Sequence, residues 1–121
     1  MDHRIKRLAL LGSTGSIGNQ TLDVVRTYPK RRQVVGLAAR SNIMALNTQI
    51  KEFHPKLVSC ENIGDEGFPL ATNGYRKCAI EDMVRDPSVD LVVSATAGNA
   101  SLSSTISAIE AGKNVALANK E

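Results

Sequence analysis

The sequence predicts an α/β fold with a doubly wound, mainly parallel sheet, and three observations carry that expectation. Short apolar runs of strand length alternate with helix-length stretches, the pattern of successive βαβ units. A glycine-rich turn joins the first strand to the first helix. The 121 residues, 42% hydrophobic and 22% charged, suffice for one domain with a real core and exclude wholesale disorder.

The elements follow in order. Arg7–Leu11 (RLALL) is an apolar run ending at glycine, as a buried strand does. Gly12–Gly18 is the turn, and Ser16 to about Thr27 reads as a helix with Ile17, Thr21 and Val24/Val25 on its inner face. Gln33–Ala39 (QVVGLAA) is the second strand. Ile43, Leu46, Ile50 and Phe53 recur at i, i+3, i+7 and i+10, an amphipathic helix with Asn42 as N-cap and Pro55 marking its stop. Leu57–Cys60 is the third strand. Residues 61–78, with three glycines and Pro69, show no firm period. Ala79–Asp86 is a short helix stopped by Pro87, and Leu91–Ala95 is the fourth strand. Thr96–Asn99 is a small-residue turn. Leu102–Ala111 is a helix expected to turn Leu102, Ile106 and Ile109 inward and to end at Gly112. Val115–Leu117 is the fifth strand. The order of elements is that of a Rossmann-like sheet, whose ligands sit at the strands' C-terminal ends.

Composition narrows the function classes. Aromatics are 3% with no Trp, which argues against a binder that stacks single-stranded bases. No Lys/Arg stripe lies on a DNA-reading element, so no nucleic-acid partner is expected. No apolar run approaches the roughly 18 residues of a membrane helix, and the start has no signal-peptide character. The expectation is a soluble cytoplasmic chain without a membrane partner. Net charge is +3, yet residues 1–32 carry +5 and the remainder −2. A basic first third suits an anionic ligand, or is a solvated surface. Cys60 and Cys78 stand 18 apart without a C-x-x-C, and are expected to be reduced and structural. His3 and His54 have no partner at ligand spacing, so no metal site is expected within the chain.

The chemistry concentrates in Leu11-Gly12-Ser13-Thr14-Gly15-Ser16-Ile17-Gly18-Asn19, a G-x-x-G-x-x-G between strand and helix. Gly12 permits the sharp turn, Gly15 leaves room for a pyrophosphate, and Gly18 lets the helix lie close on the strand. Free N–H groups from Thr14 to Ile17 and the helix dipole attract phosphate. Glycine-rich turns also serve as plain connectors, but the strand–turn–helix context favours a dinucleotide. At the end of the second strand, where an NAD-preferring fold places an acid, stand Arg40-Ser41-Asn42, with no acid from Gln33 to Lys51. A guanidinium and a hydroxyl can hydrogen-bond the 2′-phosphate that an acid repels, so NADP(H) is expected. The plainer alternative is a basic loop with Asn42 as helix cap. Ser94–Ala100 offers small residues that could admit a nicotinamide ribose or merely form a tight turn. Asn119, Lys120 and Glu121 follow the last strand and present donor, cation and acceptor, either to a polar substrate or to solvent.

Leu11–Arg26 (LGSTGSIGNQTLDVVR) together with Ala111–Glu121 (AGKNVALANKE) resembles 1-deoxy-D-xylulose 5-phosphate reductoisomerase along the whole chain. That resemblance implies an NADPH-dependent enzyme of isoprenoid biosynthesis that makes 2-C-methyl-D-erythritol 4-phosphate with a divalent metal, magnesium or manganese, as a homodimer. It implies that Thr14, Gly15, Ser16 and Ile17 hold the NADPH phosphates and that Asn42 lies by the adenosine. Asn119 and Glu121 are implied at the nicotinamide end, with Lys120 on the phosphorylated sugar. Two departures stand out. Many members carry Gly-Lys-Asn where this chain has Arg40-Ser41-Asn42, and an alanine-glycine pair where it has Ala100-Ser101. The family's metal-binding aspartate and two glutamates lie beyond the Asn-Lys-Glu segment. Residues 1–121 are therefore expected to be the NADP(H)-binding domain of a longer enzyme, with no catalytic or metal-ligating residue of their own.

Two other readings are weighed. A short-chain dehydrogenase needs Tyr-x-x-x-Lys, but Tyr28 and Tyr75 are followed at that spacing by Arg32 and Ala79. A non-catalytic NAD(P)-sensing module should show a partner-binding helix, and none is evident. Other NADP-dependent dehydrogenases share the turn but lack the terminal Ala-Asn-Lys-Glu.

Overall fold

The computed structural model describes residues 5–60, 75–96 and 99–117. Among them, six strands and four helices alternate as β1 (Lys6–Leu11), α1 (Ser16–Thr27), β2 (Arg32–Ala39), α2 (Ile43–Phe53), β3 (Leu57–Cys60), β4 (Arg76–Lys77), α3 (Ile80–Arg85), β5 (Leu91–Ser94), α4 (Asn99–Glu110) and β6 (Asn114–Leu117). The strands form one parallel sheet in the order β4-β3-β2-β1-β5-β6. The chain builds outward from β1 to β4, then returns to lay β5 on β1's other side. The switch point therefore falls between β1 and β5, where such sheets open a crevice at their C-terminal edge.

Alternation along the strands produces two cores. Leu8, Leu10, Val34, Leu37 and Val58 pack with Leu22 and Val25 of α1 and Leu46 and Ile50 of α2. On the opposite face Ala9, Leu11, Val35, Leu57 and Val92 pack with Met83 and Val84 of α3 and Ala108 of α4. Each fully buried Leu stabilises the fold by roughly 1.5–3 kcal/mol relative to exposure. Between Leu8 and Ala9 the pairing skips from Val34 to Gly36, a bulge that inserts Val35. At the N-terminal end of the sheet Arg7 grips Asp90, with Nε and one terminal nitrogen each 3.0 Å from a carboxylate oxygen and the Arg7 amide 3.1 Å away. This fork ties β1 to the segment entering β5 and holds the Asp90 carboxyl down at about 2.

Most expected boundaries hold to within a residue or two. The α4 helix starts three residues before Leu102, and β4 is a two-residue edge strand inside the stretch with no readable period; 61–74 of that stretch lie outside the described residues. Two inner faces need correction. Helix α1 buries Gly18, Leu22 and Val25 and leaves Val24 exposed, because Gly18 must press against the turn and so sets the helix rotation. Helix α4 buries Ser104, Ser107 and Ala108, while Leu102, Ile106 and Ile109 point outward, Leu102 at 60% exposure and Ile109 at 61%. Short side chains let α4 lie close against β5, β6 and α3, and the long apolar ones occupy the uncovered face. Gly112, at φ 78°, ends the helix as expected.

Candidate cofactor site

The glycine turn lies at the switch point and is fastened on both sides. The N–H groups of Gly12 and Ser13 both donate to the Ala38 carbonyl at the end of β2, at 2.8 and 2.9 Å. On the other flank Ala95 N–H donates to the Leu11 carbonyl at 2.8 Å, and Thr96 lies against Gly12.

The three glycines differ in why they are glycine. Gly12 has φ 81°, and a Cβ there would lie 2.9 Å from the Thr96 methyl and 3.0 Å from Ala95 backbone. A Cβ on Gly18 would collide with the Gly12 carbonyl oxygen and sit 2.8 Å from Ser13 backbone. Both are demanded by the fold. Gly15 is not: its φ is −80°, it is exposed, and a Cβ would meet nothing closer than the Gly12 oxygen at 3.7 Å. The chain's own packing gives no reason for a glycine here, so the requirement points outward to something that must approach the backbone.

Hydrogen bonding shows what the turn offers. The Gly15 N–H is spent on Gly12 O at 3.3 Å, which corrects the expectation that every N–H from Thr14 to Ile17 is free. Thr14, Ser16 and Ile17 keep N–H groups without an acceptor among the described residues. The first helical bond runs from Asn19 N to Gly15 O at 2.9 Å. Open N–H groups and the positive end of a twelve-residue helix thus lie together at the C-terminal end of β1. No acidic side chain stands in the first turn of α1 to compete for them.

Arg40-Ser41-Asn42 leaves β2 two residues after the carbonyl that anchors the turn. All three are exposed. Asn42 caps α2, its Oδ1 accepting from Ala45 N at 3.1 Å, as the sequence predicts. Arg40 has no side-chain partner among the described residues, whereas Arg7 and Arg26 are engaged with Asp90 and with Glu52 and Asp23. Part of the basic first third is therefore structural, and the guanidinium beside the turn is available. After β5, Ser94 is buried and its hydroxyl lies 3.3 Å from that of Thr96. Residues 97–98 of the small-residue turn, and Asn119, Lys120 and Glu121, lie outside the described residues.

Two neighbours of the turn escape a reading built on glycine spacing. Asn19 donates to the carbonyls of Thr14 and Gly15, at 3.3 and 3.0 Å. Gln49 of α2 donates to the Ser13 carbonyl at 2.8 Å. A signal for Gln49 was present, since it falls on the same helical stripe as Leu46, Ile50 and Phe53, and a polar residue on a buried face is informative. Among the described residues, no three His, Cys, Asp or Glu side chains gather as metal ligands, and no helix is long and apolar enough to cross a membrane. Both cysteines are free thiols, Cys60 buried with its Sγ 3.7 Å from Arg40 O and Cys78 half-buried.

Comparison with known proteins agrees with this geometry. The family model for 1-deoxy-D-xylulose 5-phosphate reductoisomerase matches residues 8–121. Proteins of that name from Crocosphaera subtropica and Shouchella clausii are 44% and 43% identical to this chain over 97% of its length. A solved DOX-P reductoisomerase in complex with magnesium superposes with a TM-score of 0.81 at 33% identity, covering 96% of this chain and 31% of that one. The Zymomonas mobilis enzyme in complex with NADPH gives 0.77 at 32% identity, covering 96% and 32%. A Synechocystis biliverdin reductase, at 22% identity and a TM-score of 0.63, shares the fold. This chain spans about a third of the length of the curated relatives it matches, 32% of each of the two named above. It belongs to the 1-deoxy-D-xylulose 5-phosphate reductoisomerase family.

Proposed function

We propose that this chain is the NADPH-binding domain of a reductoisomerase that converts 1-deoxy-D-xylulose 5-phosphate to 2-C-methyl-D-erythritol 4-phosphate. The observation that carries the cofactor reading is Gly15, a glycine the fold does not need, in a turn whose Thr14, Ser16 and Ile17 N–H groups are open. Family membership supplies the reaction, and the relatives solved with NADPH and with magnesium support the cofactor and a divalent metal for the full-length enzyme. Bound NADPH supplies the hydride.

This chain's residues bind and orient the dinucleotide. Thr14, Gly15, Ser16 and Ile17 receive the pyrophosphate between Gly12 and Gly18, while Arg40 and Ser41 hold the 2′-phosphate beside Asn42. The family resemblance assigns Asn119 and Glu121 to the nicotinamide end of the cofactor and Lys120 to the sugar phosphate. The metal's carboxylates are assigned to the part of the relatives' length that this chain does not span. The outward apolar stripe of α4 supports a domain that meets further protein: Leu102, Ile106, Ile109 and Leu117 of β6 are all exposed. A soluble, cytoplasmic homodimer is the assembly this reading entails.

The test is cofactor preference in the full-length protein. A charge-assisted hydrogen bond contributes roughly 1.5–3 kcal/mol, or about ten- to a hundredfold in affinity. NADPH should bind more tightly than NADH by that factor, and Arg40→Ala should erase most of the difference. Equal dissociation constants for the two cofactors in the unaltered protein would overturn the assignment of Arg40-Ser41-Asn42.

A further inference from the structure

Gln49 is buried to 5% exposure on the sheet-facing side of α2. A buried amide is costly where it is not hydrogen-bonded; this one spends its donor on the glycine turn, while its Oε1 has no partner among the described residues. Its Nε2 lies 2.8 Å from the Ser13 carbonyl and 3.2 Å from Oδ1 of Asn19. Asn19, its Oδ1 held by Gln49, directs its own Nδ2 to the carbonyls of Thr14 and Gly15.

Every carbonyl from Gly12 to Gly15 is thereby occupied from the protein side. Gly12 O takes the Gly15 N–H and Gly15 O takes the Asn19 N–H. Ser13 O takes Gln49, and Thr14 O takes Asn19. An anion is repelled by carbonyl oxygens and attracted by N–H groups, so a phosphate-binding turn must keep the first drawn back while presenting the second. A peptide unit that rotates to bring its carbonyl outward also turns an N–H inward.

We propose that Gln49 is a positioning residue for the pyrophosphate. From α2 it pins the Ser13 carbonyl and orients Asn19, and so keeps the N–H groups of Thr14, Ser16 and Ile17 facing the crevice. The proposal rests on the turn's binding a dinucleotide. It adds that a helix outside the strand–turn–helix unit sets the unit's shape.

Gln49→Met keeps length and removes the donor; Gln49→Glu keeps shape and places a carboxylate against the Ser13 carbonyl. Asn19→Ala, at an exposed position, is the variant that keeps the question open should either buried change fail to fold. Each is compared with the unaltered full-length protein by titration with two probes. 2′-Phosphoadenosine 5′-diphosphoribose carries the pyrophosphate, whereas adenosine 2′-monophosphate carries only the 2′-phosphate. The variants should bind the first about tenfold more weakly and the second unchanged, with the KM for NADPH raised and kcat little altered. Equal weakening of both probes would mean that α2 as a whole has shifted and would overturn a role specific to the turn. Unchanged binding of the pyrophosphate probe by Asn19→Ala and by a folded Gln49 variant would overturn it as well. Failure of the unaltered protein to bind either probe would remove the dinucleotide reading itself, and Gln49's role with it.

Discussion

Replacing Gly15 with Val should separate the fold of this domain from its ligand binding. The new Cβ meets only an ordinary contact at 3.7 Å, and φ at −80° suits any residue. Gly15 is the N-cap of α1 without a side-chain cap bond, so the fold should lose no more than about 1 kcal/mol, the usual cost of a poor cap residue. Binding should suffer far more. The valine branches occupy the open side of the turn, where a pyrophosphate needs N–H to oxygen distances near 2.9 Å. Losing two charge-assisted hydrogen bonds, each roughly 1.5–3 kcal/mol, weakens NADPH by at least about a hundredfold. Gly18→Ala is the control with the opposite signature. Its methyl meets the Gly12 carbonyl and Ser13 backbone, which cannot swing aside, so α1 must lift from β1 at about 1–3 kcal/mol. Denaturant midpoints and NADPH titrations on both variants give the comparison. If Gly15→Val unfolds as readily as Gly18→Ala, or binds NADPH as the unaltered protein does, then Gly15 is only a connector.

Two further outcomes can be checked. The Asp90 carboxyl is held at about 2, against an ordinary 3.8, chiefly by the Arg7 side-chain hydrogen bonds; its contribution is present above pH 4 and lost as pH falls from about 4 toward 2. Because the pair is partly exposed, solvent screening leaves it about 1 kcal/mol, so Asp90→Asn should lower stability by that amount at pH 7 and by almost nothing near pH 2. A midpoint difference that persists at pH 2 would refute this account. The isolated 121-residue chain, mixed with NADPH, magnesium and 1-deoxy-D-xylulose 5-phosphate, should show no substrate-dependent loss of nicotinamide absorbance. Glu81 and Asp82 of α3 follow the far edge strand β4, away from the β1/β5 switch point, and Asp86 and Asp90 lead into the N-terminal end of β5, whereas a hard cation wants several convergent oxygens. Turnover above a no-protein control would place the catalytic site inside these residues.

The parts of the fold legible in the sequence are those set by local chemistry. The α2 helix and β3 were bounded correctly because Asn42 caps, Pro55 stops and the apolar stripe has a clean period. The spacing of Gly12 and Gly18 predicts a sharp turn and a closely packed helix start, and the φ of the first and the contacts of the second match. What escaped was set by partners distant in sequence. The β4 strand is two exposed residues, Arg76 and Lys77, recruited to an edge by pairing with Leu57 and Val58. Nothing in its own composition says strand. The Gln49 amide reaches the turn across 36 positions, beyond any motif window.

The helix α4 shows why a correct period can point the wrong way. Its long apolar residues form one stripe and its small ones another, and hydrophobicity alone orients the longer stripe toward the sheet. The connection from β5 to parallel β6 instead places α4 beside α3, where close packing selects Ser104, Ser107 and Ala108. A stripe that repeats with helical period need not face the core of the nearest sheet. Leu102, Ile106 and Ile109 form an exposed apolar stripe, the kind of surface that marks an interaction site. The same logic separates Gly15 from Gly12 and Gly18: its own fold does not require a glycine there, and the proposed pyrophosphate contact is what would.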